Sequence, residues 1–593
     1  MRKFILPFIL TLFIFNCSSD DDSVVVQDPF IEEDELELPV VNNEFTCECQ
    51  APEAAPPTAG DMVFEGNINL QSQSQVEAFG AKNYTYIVGN LIIGIPLSDT
   101  PTDLTDINDI SSLSSIRQVN GQINVSSNPF LPSLNGLENI ISTSALVIER
   151  NALLTSLDGF DSLTTIIDRN IGNPTAFLGP ITANIAVFIF DNPALTSITA
   201  LRNINMNCLN TVSIGSTNLT SLEGLENFRS ISVLRIGDDS LISLQGLENL
   251  ESACEINISG NAQLISISEL SNIQNSNFVS IRNNNALTSI SFAGLEAVGQ
   301  IRIINNPLLN SISLLNNLQS ANTVMIDNNK ALISLQGLEN LELATDVTIS
   351  NNANLNSIEA LSLQRVNSLN ISSNTELASL NGLESLTEIR RSMVIVSNPL
   401  ITSLDVFKSL TTQFLSTITI GDNDNLLSLE GLEDITAIQN VLTISNNDKL
   451  ISLQGLENLT LVEGAIDIRS NSSLTSVETL NNIERTGILR FLSNASLTSL
   501  QGLENITEIR QALVVKDNAS LSSLDGLDNI GVISGINLFD GFLIGIEIGD
   551  NDVLNDFCAL QTLFINDSTI NTEISDNLFN PSIQDIIDDN CNQ

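Results

Sequence analysis

The sequence predicts a mainly β protein: a right-handed parallel β-solenoid of about eighteen coils, with a short N-terminal capping helix and a non-repeat C-terminal cap. Three observations predict it. The chain is self-similar, since Ile256 onward reads INISGNAQLISISELSNI, Val324 onward VMIDNNKALISLQGLENL and Leu442 onward LTISNNDKLISLQGLENL. An Asn recurs at one point of the pattern with a spacing of about 22–25 residues. A run of apolar-x-apolar precedes each Asn, and a Leu-rich return with a Gly follows it.

Each position has a physical reading. Apolar-x-apolar has a period of two, so it is a short strand with one face inward. One strand per coil, stacked coil on coil, makes a parallel sheet. The chain must turn after each strand, and an inward Asn there bonds backbone groups that the turn leaves unpaired. Stacking aligns these side chains into a ladder: Asn128, Asn151, Asn192, Asn261, Asn284, Asn306, Asn329, Asn352, Asn374, Asn398, Asn423, Asn447, Asn471, Asn494, Asn518 and Asn551. Between Asn192 and Asn261 lie two further units with Ser or Asp near the expected position. The Leu and Ile of the return fill the interior. Gly246, Gly337, Gly382, Gly455, Gly502 and Gly526 mark a second corner, where φ is positive or a side chain would clash. The longer gaps before Asn192 and Asn551 are read as loops inserted near 168–182 and 534–545.

The repeat, together with the opening stretch FEGNINLQSQSQVEAFGAKNYTYIVGNLII from Phe64, resembles the receptor L-domain branch of the leucine-rich-repeat superfamily. The resemblance covers about Asp61 to Asn551 and implies an L-domain-like solenoid over 61–552. Within it, 61–93 form the N-terminal cap and first coil, with a capping helix over Gln75–Ala81 and the first coil beginning at Tyr84–Ile93. Residues 553–593 form the C-terminal cap. The resemblance is specific for fold and nearly silent on ligand.

Ahead of the array, residues 1–16 read MRKFILPFILTLFIFN. A basic start and an apolar run of about a dozen residues are too short to span a bilayer and fit an export signal. Cys17 follows, and Ile14-Phe15-Asn16-Cys17 resembles the lipobox of bacterial lipoproteins, in which the Cys is lipidated. Asn16 departs from the usual small residue there. The acidic run Asp20–Asp22 resembles the surface-export signal of Bacteroidetes lipoproteins. These resemblances imply an outer-membrane protein held by lipid alone and exposed on the cell surface. Residues 17–60 are acidic and contain Pro29, Pro39, Pro52, Pro56 and Pro57, which suits a flexible tether.

Composition narrows the chemistry. Only 16 % of the 593 residues are charged, yet the net charge is −48, so nearly all the charge is acidic. Such a surface repels nucleic-acid phosphates and gains nothing at an anionic membrane. There is no His and no Trp, and there are two Tyr. The missing His removes the commonest general base, the Ser-His-Asp triad and the commonest zinc ligand. No cofactor or metal is expected.

Seven Cys occur. Cys558–Cys591 is the expected disulfide, stapling the C-terminal cap. Cys208 and Cys254 fall at similar positions two coils apart, roughly 9–10 Å between backbones and beyond disulfide reach, so they are expected to be buried small hydrophobes. Cys47-Glu48-Cys49 lacks a second pair or any His, which argues against metal. The turns Gly421–Asn425 and Gly549–Asp552 have Ca²⁺-like chemistry but coincide with the Asn turn, so they are read as structural.

Function is left to the outward strand face. It carries small polar groups (Asn124, Ser126, Thr348, Ser350, Asn370, Ser372, Thr419, Thr443, Ser445) and six cations: Arg235, Arg282, Arg302, Arg469, Arg490 and Lys516. The favoured reading of the cations is local pairing with acids such as Asp467 and Glu547. The alternative is a row that meets an anionic partner such as an acidic polysaccharide. The lack of Trp and Tyr argues against sugar stacking. The expected function is non-catalytic binding or adhesion at the cell surface, toward an unknown extracellular protein or glycan and not nucleic acid. A polysaccharide-acting β-solenoid enzyme and a purely structural spacer are the alternatives; the regular repeat, with no acids clustered against an aromatic wall, weighs against the enzyme.

Overall fold

Each period of the sequence folds as one coil, as the stretch from Leu442 to Leu459 illustrates. Leu442 and Ile444 point inward from a strand that spans Ala437–Ser445. The chain then turns at Asn446 and Asn447, and Leu450, Leu453, Leu456 and Leu459 close the coil from the other side, all with no exposed surface. The next strand, Leu461–Arg469, pairs parallel to the first with Ile444 beside Ile468. A coil alone would leave these six side chains wet, so the stack and the core are one feature.

The computed structural model describes residues 55–96, 104–167, 185–205, 208–238, 240–533, 536–537 and 543–593. The chain divides into units Met1–Pro39 and Val40–Gln593; the first, with the predicted signal and Cys17, lies outside the described residues. The solenoid has about 21 turns rather than eighteen. The extra coils come from the ends, where the Asn signature is missing or changed. Ile68–Leu70 already pairs with Leu91–Gly94, and Thr572–Ser575 extends the sheet beyond Ile546–Gly549. The C-terminal segment is therefore partly repeat. At about 4.8 Å per strand the sheet is on the order of 100 Å from first strand to last.

The corner after the strand uses two residues. The one before the ladder Asn is left-handed, as at Asn328 (φ 53°), Asn351 (φ 56°), Asn446 (φ 55°) and Ser470 (φ 55°). Asn, Asp and Ser dominate this position because few other side chains tolerate that region. The ladder Asn itself is fully buried. Asn329 shows the pattern: its backbone N–H donates to Asn352 Oδ1 (3.0 Å), and its Nδ2 donates to Ile303 O (2.8 Å) and Asp327 O (3.1 Å). Its Oδ1 in turn accepts from Asn306 N (3.1 Å). The ladder starts where Thr105 Oγ1 donates to Asn128 Oδ1 and ends where Asn577 N donates to Asn580 Oδ1. Between Asn192 and Asn261, the residue in ladder register in the first of the two intervening coils is buried Thr217, one position beyond the left-handed Ser216.

The second corner takes more than one form. In one, a Gly has φ between +105° and +121° and lies against the preceding coil; its N–H donates to the carboxylate two residues on, as in Gly337 to Glu339 (2.9 Å) and Gly455 to Glu457 (2.9 Å). In some coils without that Gly a short 3-10 turn replaces it, as at Ser268–Asn272 and Glu478–Leu480, and in two others short strands, Ser289–Ser291 and Ser311–Leu314, pair in parallel there. On the outer flank, exposed Asn side chains bridge coils, such as Asn340 Nδ2 to Asn316 O (2.7 Å).

The N-terminal helix spans Gln73–Gly80, starting earlier than the predicted Gln75 because Ser72 caps it through Gln75 N. Phe64, Phe79 and Tyr84 pack together beneath it at centroid distances of 5.2–5.4 Å. The loop predicted near 168–182 lies outside the described residues. In the other insertion, Ile536–Asn537 pairs antiparallel with Leu543–Ile544. At the C-terminal end, Cys558 and Cys591 are bonded, with Cα atoms 4.9 Å apart. The expectation that Cys208 and Cys254 are buried small hydrophobes is corrected: both are disulfide-bonded and only half-buried. Their neighbours Leu209 and Ala253 point into the core, so alternation turns both sulfurs outward.

Candidate ligand-binding face

Alternation along each strand sends one set of side chains inward and the other onto a continuous outer face. Register fixes their order. Along the middle row the neighbours run Ser213, Arg235, Asn257, Ser280, Arg302 and Met325. Further on they run Thr443, Asp467, Arg490, Val514 and Glu547. Arg282, Arg469 and Lys516 stand in the adjacent row, two residues farther along their strands.

The six predicted cations do not form one row. Arg235, Arg282 and Arg302 sit within four consecutive coils, and Arg469, Arg490 and Lys516 within three. Seven strand steps separate the groups, about 34 Å. Between them the middle row is uncharged: Met325, Thr348, Asn370, Val394, Thr419 and Thr443.

The second group is largely neutralised. Asp467 lies between Arg469 and Arg490, with its Oδ2 3.7 and 3.6 Å from their guanidinium nitrogens. Lys516 Nζ donates to Glu547 Oε1 at 2.7 Å, and this bond holds the ammonium above the usual lysine range. These are the local pairs with Asp467 and Glu547 that the sequence suggested.

The first group differs. Arg235 is held by Glu255 through two bonds, 3.0 and 3.3 Å. Arg302 lies over the Phe278 ring at 5.5 Å and donates to Gln300 Oε1 at 2.9 Å. Its Nε is buried and has no acceptor. Arg282 is exposed, and its side chain has no ion pair or hydrogen bond among the described residues. A depression of about 250 Å³ adjoins Arg282, lined also by Phe190, Gly215, Arg235, Gly237 and Glu255. It exists because two consecutive coils carry Gly on the face; a Cβ at Gly215 would lie 3.1 Å from the Phe190 ring. Glu255, Phe278 and Phe190 were not singled out from the sequence. The signal was there in principle, since Glu255 and Phe278 each lie one coil from a face Arg and Phe190 two, but a shift of a residue in register would have hidden it.

The Ca²⁺-like turns serve the scaffold. Asp422 is left-handed (φ 53°) and accepts from Asn446 Nδ2, while Asn423 is a ladder residue. Asp550 is likewise left-handed (φ 59°) and lies 3.8 Å from Lys516 Nζ. Among the described residues no three metal-binding side chains cluster.

No protein-family model matches the chain, and no curated protein matches it. Several solved structures are similar. The crystal structure of PEPR1–AtPEP1 is 13% identical, with 86% of this chain and 88% of that chain covered and a TM-score of 0.26. The TLR13–ssRNA13 complex is 14% identical over 76% and 81% of the chains, with a TM-score of 0.18. The LRR ectodomain of the plant membrane receptor kinase GASSHO1/SCHENGEN3 from Arabidopsis thaliana is 12% identical over 86% and 87%, with a TM-score of 0.15. At these scores the likeness carries no argument about function; the coil geometry itself establishes the solenoid.

Proposed function

We propose that this chain is a non-catalytic binding protein of the cell surface, which meets a protein or glycan partner through its strand face and seats an anionic group of that partner at Arg282 and Arg302. One observation carries the reading. Four of the six face cations are engaged by carboxylates, whereas Arg282 has no partner among the described residues and Arg302 keeps an unfilled buried N–H. A buried donor without an acceptor costs about 1–3 kcal/mol, which a ligand oxygen would recover. Guanidinium groups suit carboxylate or sulfate oxygens, as in an acidic polysaccharide or an acidic peptide.

The exported chain, applied to arrays of glycans and extracellular proteins, is expected to bind in a salt-sensitive way. Changing Arg282 and Arg302 together to Ser should weaken that binding at least about tenfold. Changing Arg469 and Arg490 to Ser should leave it within about twofold, because those side chains already face Asp467. Equal binding by the first pair and the wild type would refute the assignment, and cleavage of any bound glycan would overturn the non-enzyme reading.

Lipid anchoring at Cys17 in the outer membrane, with the solenoid outside the cell, belongs to the same proposal. Among the described residues no helix is long and apolar enough to cross a membrane. A Cys17→Ser chain should leave the membrane fraction for the soluble one. If it stays with the membrane, lipid is not the anchor.

A further inference from the structure

Cys208 and Cys254 are both disulfide-bonded, yet they cannot be bonded to one another. Cys208 stands beside Ser230 and Ser230 beside Ser252, so two strand steps, about 9–10 Å, separate the two coils. A disulfide joins Cα atoms usually 4.4–6.8 Å apart, a general limit that excludes this pair. Cys558 and Cys591 are bonded to each other. Three cysteines remain in the sequence: Cys17, Cys47 and Cys49.

The described end of the N-terminal segment points to two of them. Ala55 O accepts hydrogen bonds from Tyr86 Oη and Gln118 Nε2, both at 2.9 Å. Ala55 therefore lies on the outside of the solenoid over the leading segments of two neighbouring strands. Tyr86, Gln118, Ser142 and Thr165 are successive neighbours in that outward row. The backbone bond from Asn205 to Thr164 brings in the coil of Cys208 next, followed by Ser230 and Ser252. From Gln118, the coil of Cys208 is three steps away, about 14 Å, and that of Cys254 five, about 24 Å.

We propose that Cys49 is bonded to Cys208 and Cys47 to Cys254, so that the segment ahead of Ala55 is stapled along the outside of the stack. Cys49 stands six positions before Ala55 and Cys47 eight. Extended chain spans at most about 3.3–3.6 Å per residue, giving reaches of about 20 and 27 Å. Each reach covers its target. The opposite assignment leaves Cys49 near its limit while Cys47 has slack. The spacing of the Cys-x-Cys also matches: its sulfurs lie about 7 Å apart along an extended chain, and two disulfide reaches close that to the two-coil separation.

Each bond forms by exchange with a disulfide donor of the export compartment. A thiolate attacks the donor, a mixed disulfide forms, and the second thiolate displaces the donor as a dithiol, so two thiol protons and two electrons leave for each bond made.

Trypsin makes the test direct. The exported chain is alkylated and digested without reductant. The chain has no Lys or Arg between Lys3 and Lys82, between Arg202 and Arg229, or between Arg235 and Arg282. One species is expected to join the N-terminal peptide ending at Lys82 to peptides 203–229 and 236–282, and to fall into three on reduction. Cutting at Glu48 then separates the two bonds, leaving the Cys49 side with Cys208 and the Cys47 side with Cys254. Cys47→Ser combined with Cys49→Ser should expose two alkylatable thiols, against none at these positions in the parent. Peptides 203–229 and 236–282 joined without the N-terminal peptide, a bond from Cys17, or the reverse connectivity would each overturn the assignment.

Discussion

Replacing Asn329 by Ala is expected to destabilise the array by about 3–5 kcal/mol, whereas replacing Asn340 by Ala costs under about 1 kcal/mol. Both are Asn in the same coil, and both bond to a neighbouring coil. Asn329 is fully buried, and its loss strips Asn306 N of its acceptor and Ile303 O of its side-chain donor where water cannot follow. Asn340 is exposed, and Asn316 O can turn to solvent when its side-chain donor is removed. Urea unfolding of the two variants beside the parent measures the difference, and hydrogen exchange at Asn306 locates it. Equal midpoints for the two variants would show that the ladder is a by-product of stacking and not a source of stability.

The second large effect concerns Gly455. Its φ of +113° lies beyond the left-handed region open to Asn or Asp, and a Cβ there would sit 2.1 Å from Leu429 O. Gly455→Ala is expected to cost more than about 3 kcal/mol, because the obstacle is backbone of the preceding coil and not a movable side chain. Gly60→Ala is the control, since nothing lies within 4 Å of its added methyl. A relief route exists in the fold: coils with Thr479 or Leu270 near this point turn through 3-10 geometry instead. A measured cost under about 1 kcal/mol would mean that the coil converts to that form, and that close approach does not dictate the glycine.

Much of this molecule could be read from sequence because stacking repeats the same physical demand many times. The inward Leu and Ile, the buried Asn and the corner Gly were legible for that reason. What escaped was whatever the repeat does not state. The left-handed residue precedes the ladder Asn, and its identity alternates among Asn, Asp and Ser, so the pattern blurs there. The Glu after Leu in the Gly-Leu-Glu run was given no role, and it accepts the Gly N–H in coil after coil. Terminal coils lack the full signature, so the count fell short. The face cations were found by strand alternation alone. Their division into a neutralised group and a less engaged one needed the cross-strand register, which places Asp467 between two Arg and Glu255 beside one. The disulfide state of Cys208 and Cys254 needed the direction of their side chains, which spacing does not give.

The amide ladder has a direction. On both sides of the two coils after Asn192, each ladder Asn passes its N–H to the Asn oxygen of the coil that follows, so the two ends of the array are chemically unlike. The first ladder residue needs a donor, supplied by a hydroxyl at Thr105; the last needs an acceptor, supplied by Asn580. A shortened or lengthened version of this protein can gain or lose whole periods in the middle, where like meets like. It cannot exchange its two ends, and a version cut in the middle leaves two halves that require different finishing residues. Growth by internal duplication is therefore the route that the bonding polarity permits at no cost to either terminus.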